Sequence, residues 1–162
     1  MNVRKQAFVR AIAVCAAVLI SASVALAGEN WVGTWKVDLA KSKYSPGPAP
    51  KSAILKFEST SAGIKLTTDI VDGEGKGKAL KGGFTSKFDG KEVPLTGNPN
   101  ADAGSPKRLD DNSYENVWKK AGKVTITAKA VVSTDGKTLT ITQTGTDAQG
   151  RAVNITAVYD RQ

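Results

Sequence analysis

Histidine is absent from the 162 residues, and cysteine and methionine occur once each, as Cys15 and Met1. A Ser-His-Asp triad, a Cys-His pair, an intrachain disulfide and an ordinary zinc site are therefore excluded. Aromatic residues make up only 6% of the chain, so each one carries a large share of any core. One apolar run stands out, Ala11 to Ile20, which is shorter than the roughly 20 residues needed to cross a bilayer.

That run has a specific setting. Arg4, Lys5 and Arg10 precede it, and Ala25-Leu26-Ala27 follows with small residues at the two cleavage-defining positions. This is the layout of a secretory signal peptide cut after Ala27. Residues 1–27 are set aside as the signal, residues 28–162 are expected to form a single domain, and the protein is expected in the periplasm or outside the cell. Cys15 sits inside the apolar run behind Val14, the wrong place for lipid attachment. Cleavage leaves a chain with no Cys, Met or His and no transmembrane segment. Haem would find only Tyr or Lys as an axial ligand.

Charge adds less. Lys plus Arg number 23 against 15 Asp plus Glu, a net +8. The signal carries three of the positive charges and none of the negative ones, so the remainder keeps +5. Lys107-Arg108 and Lys119-Lys120 are the adjacent basic pairs in that remainder. No motif interleaves basic and aromatic residues, and nucleic acid is not an expected partner. For catalysis a carboxylate pair or a Tyr/Lys acid–base remains. Asp110-Asp111 and the Asp72, Glu74 pair are the most closely spaced carboxylates, but both fall in expected turns, where Asp serves the backbone. A non-catalytic protein without cofactor or metal is expected.

What the chain does have is short alternating segments cut by turns. Val124, Ile126, Ala128 and Ala130 alternate with Thr125, Thr127 and Lys129; Leu139 and Ile141 alternate with Thr138, Thr140 and Thr142. Asp135-Gly136 between them suits a type I′ turn with both residues at positive φ. That turn sets Ala130 opposite Ile141 and Ala128 opposite Gln143. The loop Ala148-Gln149-Gly150, with Gly last, then sets Ala157 beside Ile141 and Tyr159 beside Leu139. Three strands thus share one apolar face.

Extending this reading gives strands near 31–38, 52–59, 63–72, 77–89, 91–96, 105–109, 113–120, 123–133, 137–146 and 151–160. Pro94 and Pro106 weaken the fifth and sixth, since proline cannot donate to a ladder. The fold class is all-β: an up-and-down antiparallel barrel of about eight to ten strands, with a sandwich as the other architecture of this pattern. The segment 44–50, with three prolines, is expected as an extended crossing without ladder bonds, either a lid over a cavity mouth or a covering strap. Gly97–Gly104 is expected as a polar loop, without the spacing of a calcium-binding hand. Asn154-Ile155-Thr156 fits a glycosylation acceptor but lies mid-strand.

Gly33-Thr34-Trp35-Lys36 near the start and Val158-Tyr159-Asp160-Arg161 at the end make the sequence resemble the calycin barrels, the lipocalins and fatty-acid-binding proteins. The run 33–52 also looks like the start of a group of small exported bacterial proteins of unassigned function. The resemblance implies a lipocalin-like barrel with Gly33, Trp35 and Arg161 as its signature, Trp35 closing one end and Arg161 lying across it. Cation–π attraction and covered apolar area would hold that pair. Two features depart from the fatty-acid-binding proteins: residues 39–51 leave no room for a helical lid, and Ala157 stands where an anchoring Arg would precede Tyr159.

These readings lead to an exported, non-catalytic binder of a small apolar molecule. Trp35, Phe57, Tyr114, Trp118, Gln143 and Tyr159 are the candidate ligand-binding residues, with Ile126 and Ile141 beside them. Gln143 is the most informative, because a lone inward amide must meet either a ligand or a neighbour. The alternative is an envelope-associated structural or interaction module with a filled core, its basic exterior attracted to anionic surfaces.

Overall fold

A computed structural model describes residues 29–73 and 79–162. The expected signal 1–27, Cys15 and Glu74 lie outside the described residues. Ten strands follow one another: β1 (Gly33–Ser45), β2 (Ser52–Thr60), β3 (Gly63–Val71), β4 (Ala79–Ser86), β5 (Val93–Pro94), β6 (Ala103–Arg108), β7 (Ser113–Lys120), β8 (Lys123–Val132), β9 (Thr138–Thr146) and β10 (Ala152–Arg161). They form one sheet in the order β4-β3-β2-β1-β10-β9-β8-β7-β6-β5. Every neighbour is antiparallel. The sheet nearly closes on itself through one bridge, Gly83 to Thr96, with backbone bonds of 3.1 and 3.0 Å. The expected up-and-down barrel is the observed one.

The registers of the last three strands follow from their patterns. Ala130 pairs with Ile141, Ala128 with Gln143, Ala157 with Ile141 and Tyr159 with Leu139. Gly150 takes φ 79° in the three-residue loop, as a left-handed closing residue should. The Asp135-Gly136 turn is different from expectation. Only Gly136 has positive φ (70°), the Gly136 N–H donates to Ser133 O, and the Ser133 N–H donates to Thr138 O. Asp135 instead accepts from the Ser133 hydroxyl and the Lys137 N–H, which holds it right-handed. The longer loop adds a residue to each arm, so the pairing is unchanged. The double positive-φ turn sits at Ala121-Gly122, with φ 47° and 76°.

Bulges account for the other departures. Between Trp118 and Lys119 the register of β7 with β8 slips, leaving Thr125 extra on β8. Its hydroxyl donates to Asn100 O at 2.9 Å, and Val124 beyond it leaves the apolar stripe at 61% exposed. In β1 the slip falls between Asp38 and Lys43. Asp38 Oδ1 accepts from the Ala40 and Lys41 amides, while the Ser42 hydroxyl donates to Asp38 O and accepts from Val158 N–H. The strand therefore does not end at Asp38. It resumes, Tyr44 and Ser45 pair with Ile155 and Asn154, and only 46–50 forms the crossing. β5 shrinks to two residues, and β6 starts at Ala103, inside the expected polar loop. Pro106 fits within β6 because its carbonyl accepts from Gly90 rather than from β7, so its missing N–H would also point away from that ladder.

The strict alternation sorts the connections by end. Segments 46–51, 72–73, 95–102, 121–122 and 147–151 all lie at one end. Turns 61–62, 87–92, 109–112 and 133–137, with the described start and the C-terminus, lie at the other. The core is not spread evenly between them. Trp31, Trp35, Phe57, Phe84, Phe88 and Tyr114 are all buried, and five of the six interlock with ring centroids 4.9–6.0 Å apart.

Candidate functional site

At the end that carries the termini, Trp35 is fully buried and the Arg161 guanidinium lies 4.1 Å over its ring. The Trp35 indole N–H donates to Trp31 O at 2.8 Å. Arg161 Nε donates to Gly136 O at 2.6 Å, Nη1 to Val32 O at 2.9 Å, and Nη2 to Asn30 O. One side chain thus joins the entry segment and the β8–β9 turn across the Trp. Gly33 makes this possible: its φ is 141°, and a Cβ there would meet Arg161 Nη1 at 2.5 Å.

The opposite end is hollow. A cavity of about 440 Å³ runs inward from it. Pro46, Pro48 and Pro50 of the crossing, the Thr96–Asn100 loop and Arg151 stand at its mouth; Leu66, Ile70, Phe84, Ile126, Ile141 and Ile155 line its apolar wall. The crossing is pinned to β3: Lys51 N–H donates to Val71 O, and Ala49 O approaches Gly73 so closely that a Cβ there would sit 1.8 Å away.

Of the residues singled out from sequence, Tyr114, Trp118, Ile126, Ile141, Gln143 and Tyr159 line this cavity together. Trp35 and Phe57 do not. Trp35 is spent on the closed end, and Phe57 packs 6.0 Å from the Tyr114 ring within the aromatic plug. Sequence reasoning passed over Asn116, Tyr44 and Arg151. Asn116 sits two residues before Trp118 on one face of β7 and was legible by period alone. Tyr44 was hidden by the β1 bulge, which a pattern of two cannot anticipate.

The charged wall residues lie at the mouth. Asp147 Oδ2 accepts from Arg151 Nε at 2.7 Å, and its Oδ1 accepts from the Gln149 and Arg151 amides. Burial, the largest single influence, pushes the Asp147 carboxyl up. The Arg151 amide, the Arg151 guanidinium and the Gln149 amide together outweigh it and hold the carboxyl below its ordinary value. Asp110 is lowered chiefly by the Ser113 hydroxyl, and Asp135 chiefly by the Ser133 hydroxyl. Asp110 and Asp111 sit in the turn at the closed end, where Asp110 caps Asn112 and Ser113 and Asp111 pairs with Arg108. At the cavity, burial raises the phenols of Tyr114, Tyr159 and Tyr44; the Ser42 hydroxyl near Tyr44 is directed to the backbone.

These directions set the pH response. A lowered carboxylate contributes stability in full above its unfolded pKa, lost as pH falls through the folded one. A raised, neutral phenol contributes below about pH 10, and its share is lost above that value. With no histidine, the urea midpoint is expected to stay flat from about pH 5.5 to 8.5 and to fall on both sides. Asp147→Asn is expected to lower the midpoint at pH 7, with the difference from the parent narrowing as the pH falls below about 4.

Among the described residues no cluster of three or more Asp, Glu, His or Cys could hold a metal ion, and no helix is long and apolar enough to cross a membrane.

A ten-stranded up-and-down barrel, shut at one end by a Trp–Arg pair and hollow at the other, has the calycin fold. Among solved structures it is similar to zebrafish ileal bile acid-binding protein complexed with cholic acid, with TM-score 0.50 and 16% identity over 82% of this chain and 99% of that one. It also matches a protein of unknown function of the DUF3598 family from Nostoc punctiforme, with TM-score 0.49 and 18% identity over 82% of this chain and 48% of that longer one. At such identities the first likeness establishes the fold. No protein-family model matches the sequence, and no curated protein does.

Proposed function

We propose that this protein is an exported, non-catalytic binder of a small apolar molecule, held inside the barrel. The observation that carries the reading is the asymmetry of the core: aromatic residues crowd one end, while about 440 Å³ stays open at the other. That volume falls within the range of small-molecule sites, and its wall is mainly apolar with a few placed polar groups. The zebrafish protein's complex with cholic acid shows that a barrel of this fold can take an amphipathic guest. The hollow core weighs against the module without a cavity. The basic pairs are also partly neutralised: Lys119 meets Glu92 at 2.8 Å, and Arg108 meets Asp111 and Glu29.

The test is native mass spectrometry of protein purified from an exporting bacterial host, followed by solvent extraction. A stoichiometric apolar adduct is expected, together with an N-terminus at Gly28. An apo mass that stays unchanged after incubation with apolar compounds would overturn the reading.

A further inference from the structure

Three neutral polar side chains of the cavity wall lie on one row of register partners. Asn116 stands opposite Ala128, Ala128 opposite Gln143, Gln143 opposite Ile155, and Ile155 opposite Tyr44. All five line the cavity. Polar and apolar groups alternate around this girdle, and Trp118 adds an indole one inward position nearer the mouth on β7. Gly104, the register partner of Trp118, leaves the space that the Asn116 amide occupies: a Cβ there would meet Asn116 Oδ1 at 2.7 Å.

Part of the hydrogen-bonding capacity of this row and its neighbour Trp118 is unspent. Asn116 is 3% exposed, yet its Oδ1 accepts no bond within the described residues. The Tyr44 hydroxyl and the Trp118 indole N–H are likewise buried without partners. Buried polar atoms are costly to leave unpaired, so this arrangement asks for a guest that both donates and accepts. Among the described residues no cation is on this row of the wall. The charged wall residues among those described are Asp72, Asp147 and Arg151, at the mouth, and Arg151 Nε is held by Asp147.

We infer that the guest is an uncharged apolar alcohol, whose hydroxyl accepts from the Trp118 indole N–H and donates to Asn116 Oδ1. A carboxylate only accepts, so it would leave Asn116 Oδ1 unpaired and bury a charge with no counterion among the described residues. An ammonium group would bury its charge equally unpaired. The inference rests on the proposed function, since it names the chemistry of the molecule that the cavity holds.

The experiment uses Nile red as a neutral fluorescent probe of the cavity, displaced at pH 8 by 1-dodecanol, dodecanoate or dodecylammonium. Dodecanol is expected to displace it at concentrations at least about tenfold lower than either ion. Asn116→Leu removes the acceptor at similar size and should fold, because it also removes an unpaired buried group. It is expected to weaken dodecanol about three- to tenfold relative to dodecanoate and to Nile red, each measured on the same variant. Trp118→Phe should act in the same direction. If either ion competes as well as dodecanol, or if both variants treat dodecanol like the parent, the alcohol assignment fails while Nile red binding keeps the cavity reading standing. If neither Nile red nor dodecanol binds, both readings fall.

Discussion

Trp35→Ala is expected to destabilise the protein by about 3–5 kcal/mol, the range for truncating a fully buried aromatic residue. Native stabilities are about 5–15 kcal/mol in all, so much of the purified variant should be marginally folded or unfolded. Three losses coincide: the indole's packing, its bond to Trp31 O, and the platform beneath Arg161. Urea unfolding followed by circular dichroism measures the effect. Arg161→Ala should cost less, about 1–2 kcal/mol, because the carbonyls it leaves at Asn30, Val32 and Gly136 can turn to water at an exposed site. The coupling in a Trp35/Arg161 double-mutant cycle should be about 0.5–1 kcal/mol, as for an exposed cation–π pair. A Trp35→Ala loss below about 1 kcal/mol would mean that the closed end is not the anchor described here. Gly33→Ala, which drives a methyl group into the Arg161 Nη1 position, should reproduce the Arg161→Ala loss with backbone strain added.

Ala128→Trp is expected to abolish ligand binding while leaving the fold intact, the reverse of the Trp35 result. Ala128 lies on the girdle between Asn116 and Gln143, and its methyl group faces the cavity. An indole grown from that point crosses open space instead of a packed core. The overpacking penalty of about 1–3 kcal/mol seen in filled interiors should therefore be small or absent. Binding of an apolar probe should weaken at least about 100-fold, and the urea midpoint should hold or rise. Isothermal titration with an apolar alcohol, beside urea unfolding of the same sample, separates the two effects. Unchanged affinity would place the guest outside the barrel; a collapsed midpoint would show that the space is not open to a side chain.

The two experiments probe features of unequal legibility. Trp35 and Arg161 were legible as a pair only through the resemblance to calycin barrels, which implies that closure. The registers of β8, β9 and β10 were readable from alternating Ala, Ile and Thr residues, since a slip of one residue would turn every apolar group outward. Tyr114, Trp118, Gln143 and Tyr159 were legible as inward-facing for the same reason. Phe57 and Trp35 are inward too, yet they do not line the cavity. Period two tells which face a side chain occupies, not how far along the barrel the packing stays solid.

Strand content, antiparallel order and the exclusion of histidine-based chemistry and of an intrachain disulfide were determined by sequence alone, because alternation, turn residues and composition are local properties. The β1 bulge that returns Tyr44 to the interior, the type of the Asp135-Gly136 turn, and the register row shared by Asn116, Gln143 and Tyr44 were decided only in the tertiary structure. Each depends on which strands meet across the barrel, and on where the aromatic residues gather. Too few large side chains remain after one end is plugged to fill the other, and that shortfall in volume leaves the cavity.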